Sequence, residues 1–135
     1  QVKALICVGG NPLLAWPGEE KAHKALQNLD LLVCIDYKMS ASAEMADYVV
    51  GAKLCLERED LTVLTDIWYE QPYSQYSKKV VDAEGDVIEE WELFWELGKR
   101  LGLDLSINQQ HPLDMKNKPS KRDILAKMTT DSRCR

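Results

Sequence analysis

Residues able to bind an anionic ligand follow two apolar segments in the first third of the chain. Gly9, Gly10 and Asn11 come directly after the first segment, and Asp36 comes directly after the second. Glycine lets a ligand approach the backbone closely, and backbone amides in such a turn can face an anion. An ionised carboxylate only accepts hydrogen bonds, so Asp36 suits a partner rich in N–H or O–H donors. Together these residues indicate a nucleotide-type site.

The spacing of these residues supports such a site but leaves other interpretations open. Asp36 stands 26 residues after Gly10, close to where a dinucleotide-binding unit places an acid that contacts a ribose. The fingerprints G-x-G-x-x-G and G-x-x-x-x-G-K-[ST] are both absent. Gly-Gly-Asn-Pro can equally be a plain turn, and Asp36 can cap the segment that follows it. A receiver domain also has a strand ending in Asp, but its magnesium-binding acids are replaced here by Gly-Gly-Asn-Pro.

The segments that position these residues predict an α/β fold. Residues 2–8, which include one lysine, and residues 31–35 and 48–50 are short, mainly apolar runs, as expected for strands buried on both faces of a parallel sheet. Helical spacing after Pro17 and a short helical segment at 40–45 separate the three runs. The alternation predicts a parallel sheet covered by helices on each side. In such a sheet the residues after the strands lie together at one edge.

The remainder of the chain has a less regular pattern. Residues 54–83 predict no regular structure, whereas Asp86-x-x-Glu89 resembles a capping box that begins a helix ending before Gly102. The apolar face predicted for this helix comprises Ile88, Trp91, Phe94, Trp95, Gly98 and Leu101. Five aromatic residues are predicted to lie mainly in the core, namely Trp68, Tyr69, Tyr73, Trp91 and Trp95. Residues 104–119 predict a connector before a helix that Ser120-x-x-Asp123 opens. The predicted domains are therefore 1–103 and 104–135.

Composition excludes several classes of function. The chain has 135 residues, with 22 acidic against 17 basic side chains and a net charge of −5, so it lacks the basic footprint of a nucleic-acid-binding protein. No apolar run approaches the ~20 residues that span a bilayer. Four cysteines without a C-x-x-C pair favour structural thiols in a reducing compartment, and we expect a cytoplasmic protein, with the periplasm as the alternative.

Taken in order, these segments resemble the molybdopterin oxidoreductases, the superfamily of dimethyl sulfoxide reductase, formate dehydrogenase and nitrate reductase. The family pattern is a G-x-N-P loop, a helix, a strand ending in Asp, a turn with Thr or Ser, the run A-D-V-V-L-P, a Glu and a late helix ending in R-L-G. The matching residues are Gly9-Gly10-Asn11-Pro12, Leu31-Leu32-Val33-Cys34-Ile35-Asp36, Ser42, Ala46-Asp47-Tyr48-Val49-Val50, Glu57, Glu89-Glu90-Trp91 and Arg100-Leu101-Gly102. The resemblance covers roughly residues 3–102.

The resemblance implies part of a large catalytic subunit that holds molybdenum or tungsten with two molybdopterin guanine dinucleotides. The chain would be most of one three-layer, Rossmann-like α/β domain that binds the nucleotide portion of one of them. The residues implied to contact the cofactor are Gly9, Gly10 and Asn11 in the loop, Ile35, Asp36, Tyr37 and Lys38 around the strand end, Arg58, and Glu90 where relatives have Asp. A second departure is Gly51 in place of the usual Pro, which we expect to loosen the strand exit.

Features needed for turnover have no counterpart in these 135 residues. The sequence lacks the metal-ligating Ser, Cys or selenocysteine of the family and any iron–sulfur cysteine motif. We therefore expect no activity from the fragment alone, and an iron–sulfur cluster only outside it. Its expected partners are the rest of the catalytic subunit and an electron-transfer protein. Because the sequence begins with Gln and shows no leader, we also expect it to be an excerpt of a longer chain.

Two other functions remain open at the level of sequence. The chain could be a free-standing nucleotide- or NAD-binding module without catalytic activity, or an interaction domain without a ligand. Three parallel strands that are apolar on both faces leave sheet edges and surfaces uncovered. We therefore expect the fragment to self-associate or to expose an apolar patch.

Overall fold

The computed structural model describes residues 2–62, 70, 75–107 and 109–129. The chain forms two compact units, Gln1–Lys53 with Glu84–Glu90, and Leu54–Ala83 with Trp91–Arg135. None of the described helices is long and apolar enough to cross a membrane. The predicted boundary at residue 103 stays a prediction.

The described elements alternate between strand and helix in the first unit and are shorter in the second. The strands are β1 (Ala4–Val8), β2 (Leu31–Asp36), β3 (Tyr48–Ala52), β4 (Asp60–Leu61), β5 (Tyr76–Ser77), β6 (Val87–Ile88), β7 (Ser106–Ile107) and β8 (His111–Pro112). The helices are α1 (Pro12–Ala15), α2 (Glu19–Gln27), α3 (Ala41–Glu44), α4 (Glu90–Leu101) and α5 (Lys121–Thr129).

The first unit is built on a four-stranded parallel sheet in the order β1-β2-β3-β6. Its core contains Leu26 from α2, Leu32 and Cys34 from β2, and Ala43 from α3, each at most 4% exposed. This confirms the predicted α/β class with a parallel sheet and helices in the crossovers. The carboxyl ends of all four strands therefore lie at the same edge.

One face of this sheet carries exposed apolar side chains. Ile6, Val33 and Tyr48 are register partners on adjacent strands, and their side chains share the face opposite Cys34. Ile6 is 38% exposed, Tyr48 is 66% exposed, and Val8 on the same face is 45% exposed. The prediction that the chain exposes an apolar patch is thus confirmed, whereas complete burial of β1 on both faces is wrong.

The fourth strand corrects the prediction made around Asp86. Val87 and Ile88 form β6 and pair with Gly51 and Ala52 of β3, so Asp86-x-x-Glu89 is not a capping box. Helix α4 begins at Glu90, and Ile88 lies outside it. The expectation that Gly51 loosens the exit of the strand is wrong, since Gly51 lies inside β3. A Cβ at this position would approach Val87 Cγ1 to 3.0 Å. The missing side chain allows β6 to pair.

The second unit contains two hairpins and the helices α4 and α5. Strand β4 pairs with β5, and β7 pairs with β8, both antiparallel, in segments predicted to lack regular structure. Trp95 is 4% exposed and its indole N–H donates to the Asp114 carbonyl at 2.9 Å. Ser120 and Asp123 stand at the predicted start of α5 and form a reciprocal cap there, with their side-chain oxygens 2.6 Å apart.

Some predictions concern residues outside the described part of the chain. Among the aromatic residues, Trp68, Tyr69 and Tyr73 lie there, whereas Trp95 is buried as predicted and Trp91 is half-buried. Cys134 also lies outside the described residues.

Candidate functional site

The loop after β1 presents backbone N–H groups at the carboxyl edge of the sheet. Gly9 adopts a left-handed conformation with φ of +57°, and its N–H donates to the Ile35 carbonyl at 2.9 Å. The N–H groups of Gly10 and Asn11 donate to no acceptor within the described residues. A Cβ at Gly9 would meet nothing within 4 Å. This loop therefore has open space beside it and donors suited to an anion.

Asp36 ends β2 beside this loop and is only 8% exposed. Its Oδ1 accepts hydrogen bonds from the backbone N–H groups of Tyr37 at 2.8 Å and Lys38 at 3.4 Å. Its Oδ2 accepts none from the described residues. Oδ2 is therefore the carboxylate oxygen that remains available to a ligand with N–H or O–H groups.

Asn11 is connected to the loop after β2 by a buried serine. The Ser42 hydroxyl is fully buried and donates to Asn11 Oδ1 at 2.7 Å, while it accepts from the Leu13 N–H at 3.1 Å. Ser40 caps α3 by accepting from the Ala43 N–H at 3.3 Å, which places Ser42 in the first turn of that helix. The contact fixes the Asn11 side chain and leaves its amide nitrogen without an acceptor among the described residues.

The other three predicted site residues around Asp36 differ in which of their atoms a ligand can contact. Ile35 is 1% exposed, so only its backbone can contact a ligand, and its carbonyl is used by Gly9. Tyr37 is 65% exposed, and the Lys38 ammonium lies 5.8 Å from the centroid of its ring. Both side chains thus flank the edge at which Gly9, Gly10, Asn11 and Asp36 meet.

Charged residues also follow β3 and β6 at the same edge. Lys53 comes after β3 and its Nζ lies 4.0 Å from Oε1 of Glu89, which comes after β6 and is 7% exposed. Glu90 is half-buried and begins α4. In the sheet, β3 lies between β2 and β6, so Glu90 follows a strand that is not adjacent to the strand ending in Asp36.

Arg58 belongs to the second unit, unlike the other predicted site residues. It follows a 3₁₀ turn at Cys55–Glu57, and its Nε lies 3.3 Å from Asp60 Oδ2. The side chain is 19% exposed. The structure thus gives Arg58 a partner within its own unit.

Sequence reasoning missed three polar residues of this edge, namely Ser42 as the partner of Asn11, Lys53 and Glu89. Ser42 was present in the motif but carried no assigned role. Lys53 and Glu89 could have been found by noting the charged residue that follows each strand. Within the described residues, no group of three or more His, Cys, Asp or Glu side chains could hold a metal ion.

The fold and this edge define a Rossmann-like α/β domain with a loop and a strand-end acid suited to a nucleotide. The family model "Molybdopterin oxidoreductase" matches residues 1–100. Acetylene hydratase of Syntrophotalea acetylenica is 35% identical over 76% of this chain, and trimethylamine-N-oxide reductase of Haemophilus influenzae is 31% identical over 76%. The solved structure of acetylene hydratase from Pelobacter acetylenicus superposes with a TM-score of 0.65 over 75% of this chain at 31% identity.

The chain belongs to the molybdopterin oxidoreductase family. It spans only 14% of the acetylene hydratase sequence and 12% of the trimethylamine-N-oxide reductase sequence. The relatives are enzymes, and the chain corresponds to one part of such an enzyme. The resemblance drawn from the loop, the strand-end Asp and the late helix is confirmed, and the family implies a molybdopterin cofactor.

Proposed function

We propose that this chain forms part of the binding site for the guanine nucleotide portion of a molybdopterin guanine dinucleotide. The observation that carries the proposal is the open Oδ2 of the buried Asp36, beside a loop with two N–H groups that have no acceptor among the described residues. The parent protein is proposed to be a molybdenum- or tungsten-dependent oxidoreductase. The cytoplasm remains the proposed location.

The donors and acceptors at this edge fit the nucleotide. A guanine base and a ribose present N–H and O–H groups, which suit the acceptor-only carboxylate of Asp36. A diphosphate suits the N–H groups of Gly10 and Asn11 beside the left-handed Gly9. The bound cofactor would supply the metal centre at which the parent enzyme's reaction takes place.

This chain's own residues would bind and orient the nucleotide. Asp36 keeps its carboxylate in place through the N–H groups of Tyr37 and Lys38, so Oδ2 is preorganised before a ligand arrives. Ser42 holds Asn11 in the loop. Arg58 and Glu90, which the family resemblance implies, are also proposed to contact the cofactor.

Substitution of Asp36 in the parent protein tests this role. Asp36→Asn keeps an oxygen for the two backbone N–H groups but removes the charge, so we expect the fold to persist and cofactor retention to fall. Hydrogen bonds to charged groups contribute about 1.5–3 kcal/mol, which corresponds to roughly a 10- to 100-fold loss of affinity. The measurement is molybdenum or tungsten by elemental analysis together with GMP released by acid hydrolysis. Asp30→Asn is the matched control, because Asp30 precedes β2 and pairs with Lys3 at 2.9 Å.

The outcomes separate the alternatives. A purified parent protein that is active but contains neither metal nor GMP would exclude the cofactor role. Metal without GMP would leave molybdopterin but exclude the guanine form. Tight binding of NAD or a simple nucleotide by the 135-residue chain alone, measured by calorimetry, would favour a free-standing nucleotide-binding module. Unchanged metal and GMP content in Asp36→Asn would show that Asp36 does not contribute to binding.

A further inference from the structure

Two cysteines face each other across adjacent strands immediately before the candidate loop. Cys7 of β1 and Cys34 of β2 are register partners in the parallel sheet, and both are free thiols. Adjacent strands place such Cα atoms about 4.8 Å apart, which lies within the range of about 4.4–6.8 Å that disulfides span. Paired residues also point to the same face, so the two thiols are neighbours.

The two thiols have different surroundings. Cys34 is 2% exposed, and burial together with interaction with the Cys7 thiol raises its pKa to about 11. Cys7 is half-buried, and its Sγ donates to the Gly10 carbonyl at 3.1 Å. A Cβ at Gly10 would lie 3.6 Å from the same sulfur. The Cys7 thiol is therefore the direct contact between the cysteine pair and the loop after β1.

We propose that Cys7 and Cys34 form a redox-sensitive dithiol whose oxidation to a disulfide releases the Gly10 carbonyl and loosens the loop. The chemistry needs a peroxide as oxidant. The Cys7 sulfur attacks hydrogen peroxide, giving a sulfenic acid and one water; the Cys34 sulfur then attacks that sulfur, and a second water leaves with the Cys34 proton. The dithiol loses two electrons and the peroxide gains them.

Cys7 acts first because it is the more accessible thiol, and Cys34 resolves the sulfenic acid because it is the nearest sulfur. A thiol reductant converts such a disulfide back to the dithiol by thiol–disulfide exchange, so the proposed crosslink is reversible.

Peptide mapping of the 135-residue chain tests the crosslink without any ligand, so its result is independent of the proposed nucleotide site. Cleavage by trypsin places these three cysteines in different peptides. Cys7 lies in the peptide 4–21, Cys34 in the peptide 25–38 and Cys55 in the peptide 54–58. After treatment with hydrogen peroxide we expect a crosslinked pair of the first two peptides that a dithiol reductant separates. The pair should be missing in Cys7→Ser and in Cys34→Ala, and present in Cys55→Ser, which removes an exposed thiol.

Amide exchange of the same samples tests the effect on the loop. The N–H groups of Leu14 and Ala15 donate to the Asn11 carbonyl, so their exchange reports on the loop. Loss of one hydrogen bond at Gly10 predicts exchange that is about two- to tenfold faster in the oxidised chain, with residues 121–129 as the unchanged reference. Separate sulfenic or sulfinic acids, or crosslinks only through Cys55, would overturn the proposed disulfide. A crosslink with unchanged or slower exchange would overturn the effect on the loop.

Discussion

Single hydrogen bonds hold the candidate site together. Asp36 uses one carboxylate oxygen to fix the turn after β2 and keeps the other open, while Ser42 links Asn11 to the start of α3. The Asp36 and Ser42 side chains are 8% and 0% exposed, and Asn11 is half-buried. Buried polar groups of this kind are costly when one partner is removed, so conservative substitutions should be informative.

The hydroxyl of Ser42 is expected to stabilise the loop after β1. Ser42→Ala removes a fully buried hydroxyl and leaves Asn11 Oδ1 and the Leu13 N–H, which belong to half-buried residues, without the partner that they share. We expect the free energy of unfolding in urea to fall by about 1–3 kcal/mol and the Leu13 amide to exchange faster. Ser40→Ala, which removes only the α3 cap, is the control and should leave Leu13 exchange unchanged. Equal Leu13 exchange in wild type and Ser42→Ala would contradict the assignment.

Asp114 should give the second unit a dependence on acid pH. Hydrogen bonds from the Asn117 side chain and backbone, and from the Lys116 backbone, lower the pKa of Asp114 from 3.8 to about 2. Because the folded pKa is the lower one, ionised Asp114 stabilises the folded chain above about pH 4, and this contribution is lost as the pH falls towards 2.

An NMR titration of the Asp114 carboxyl group checks this pKa. Asn117→Ala removes the largest cause of the shift and should raise the pKa towards 3.8. Lys118→Ala, which leaves all three donors to Asp114 in place, should not raise this pKa. An identical Asp114 pKa in wild type and Asn117→Ala would contradict the hydrogen-bonded turn.

At the level of elements, the edge of the sheet depends on how closely β6 approaches β3. Gly51 has no side chain, and a Cβ there would lie 3.0 Å from Val87 Cγ1 and 3.4 Å from the Asp86 carbonyl. This approach brings Glu89 to within 4.0 Å of Lys53. The pairing of β3 with β6 therefore places Glu89 beside Lys53 at the edge of the sheet.

Gly51→Ala tests the pairing of β3 with β6. The added methyl group has to displace Val87, so we expect a loss of about 1–3 kcal/mol in the free energy of unfolding. Combining it with Val87→Ala should recover part of this loss, because the smaller side chain removes the closest contact. Additive losses in the double variant, measured by urea denaturation, would show that the two positions are not in contact.

At the scale of the whole molecule, the exposed apolar face of the sheet predicts self-association of the 135-residue chain. Replacing Ile6 and Val8 with Thr keeps β-branched residues in β1 while it lowers the apolarity of side chains that are 38% and 45% exposed. We expect light scattering to show an apparent mass that rises with concentration in the wild type and much less in this variant. Leu14→Thr is the control, since Leu14 is 83% exposed on α1. A monomeric wild type at all concentrations would refute the prediction.

Local patterns determined much of this protein. The apolar runs, the turn at Gly9-Gly10-Asn11 and the start of α5 at Ser120 depend on residues that are close in the sequence. The parallel sheet, the positions of this turn and of Asp36 at its edge, and helix α5 could therefore be predicted. The family could also be inferred, because the order and spacing of its motifs are linear features.

Contacts between residues that are distant in the sequence became visible only in the tertiary structure. The hydrogen bond from Ser42 to Asn11 spans 31 residues, β6 pairs with a strand 36 residues earlier, and Cys7 meets Cys34 only through the sheet register. The predicted capping box at Asp86 was wrong because pairing with β3 outweighed the local helix signal. Such choices depend on packing and on partners far along the chain, and short-range spacing does not encode them.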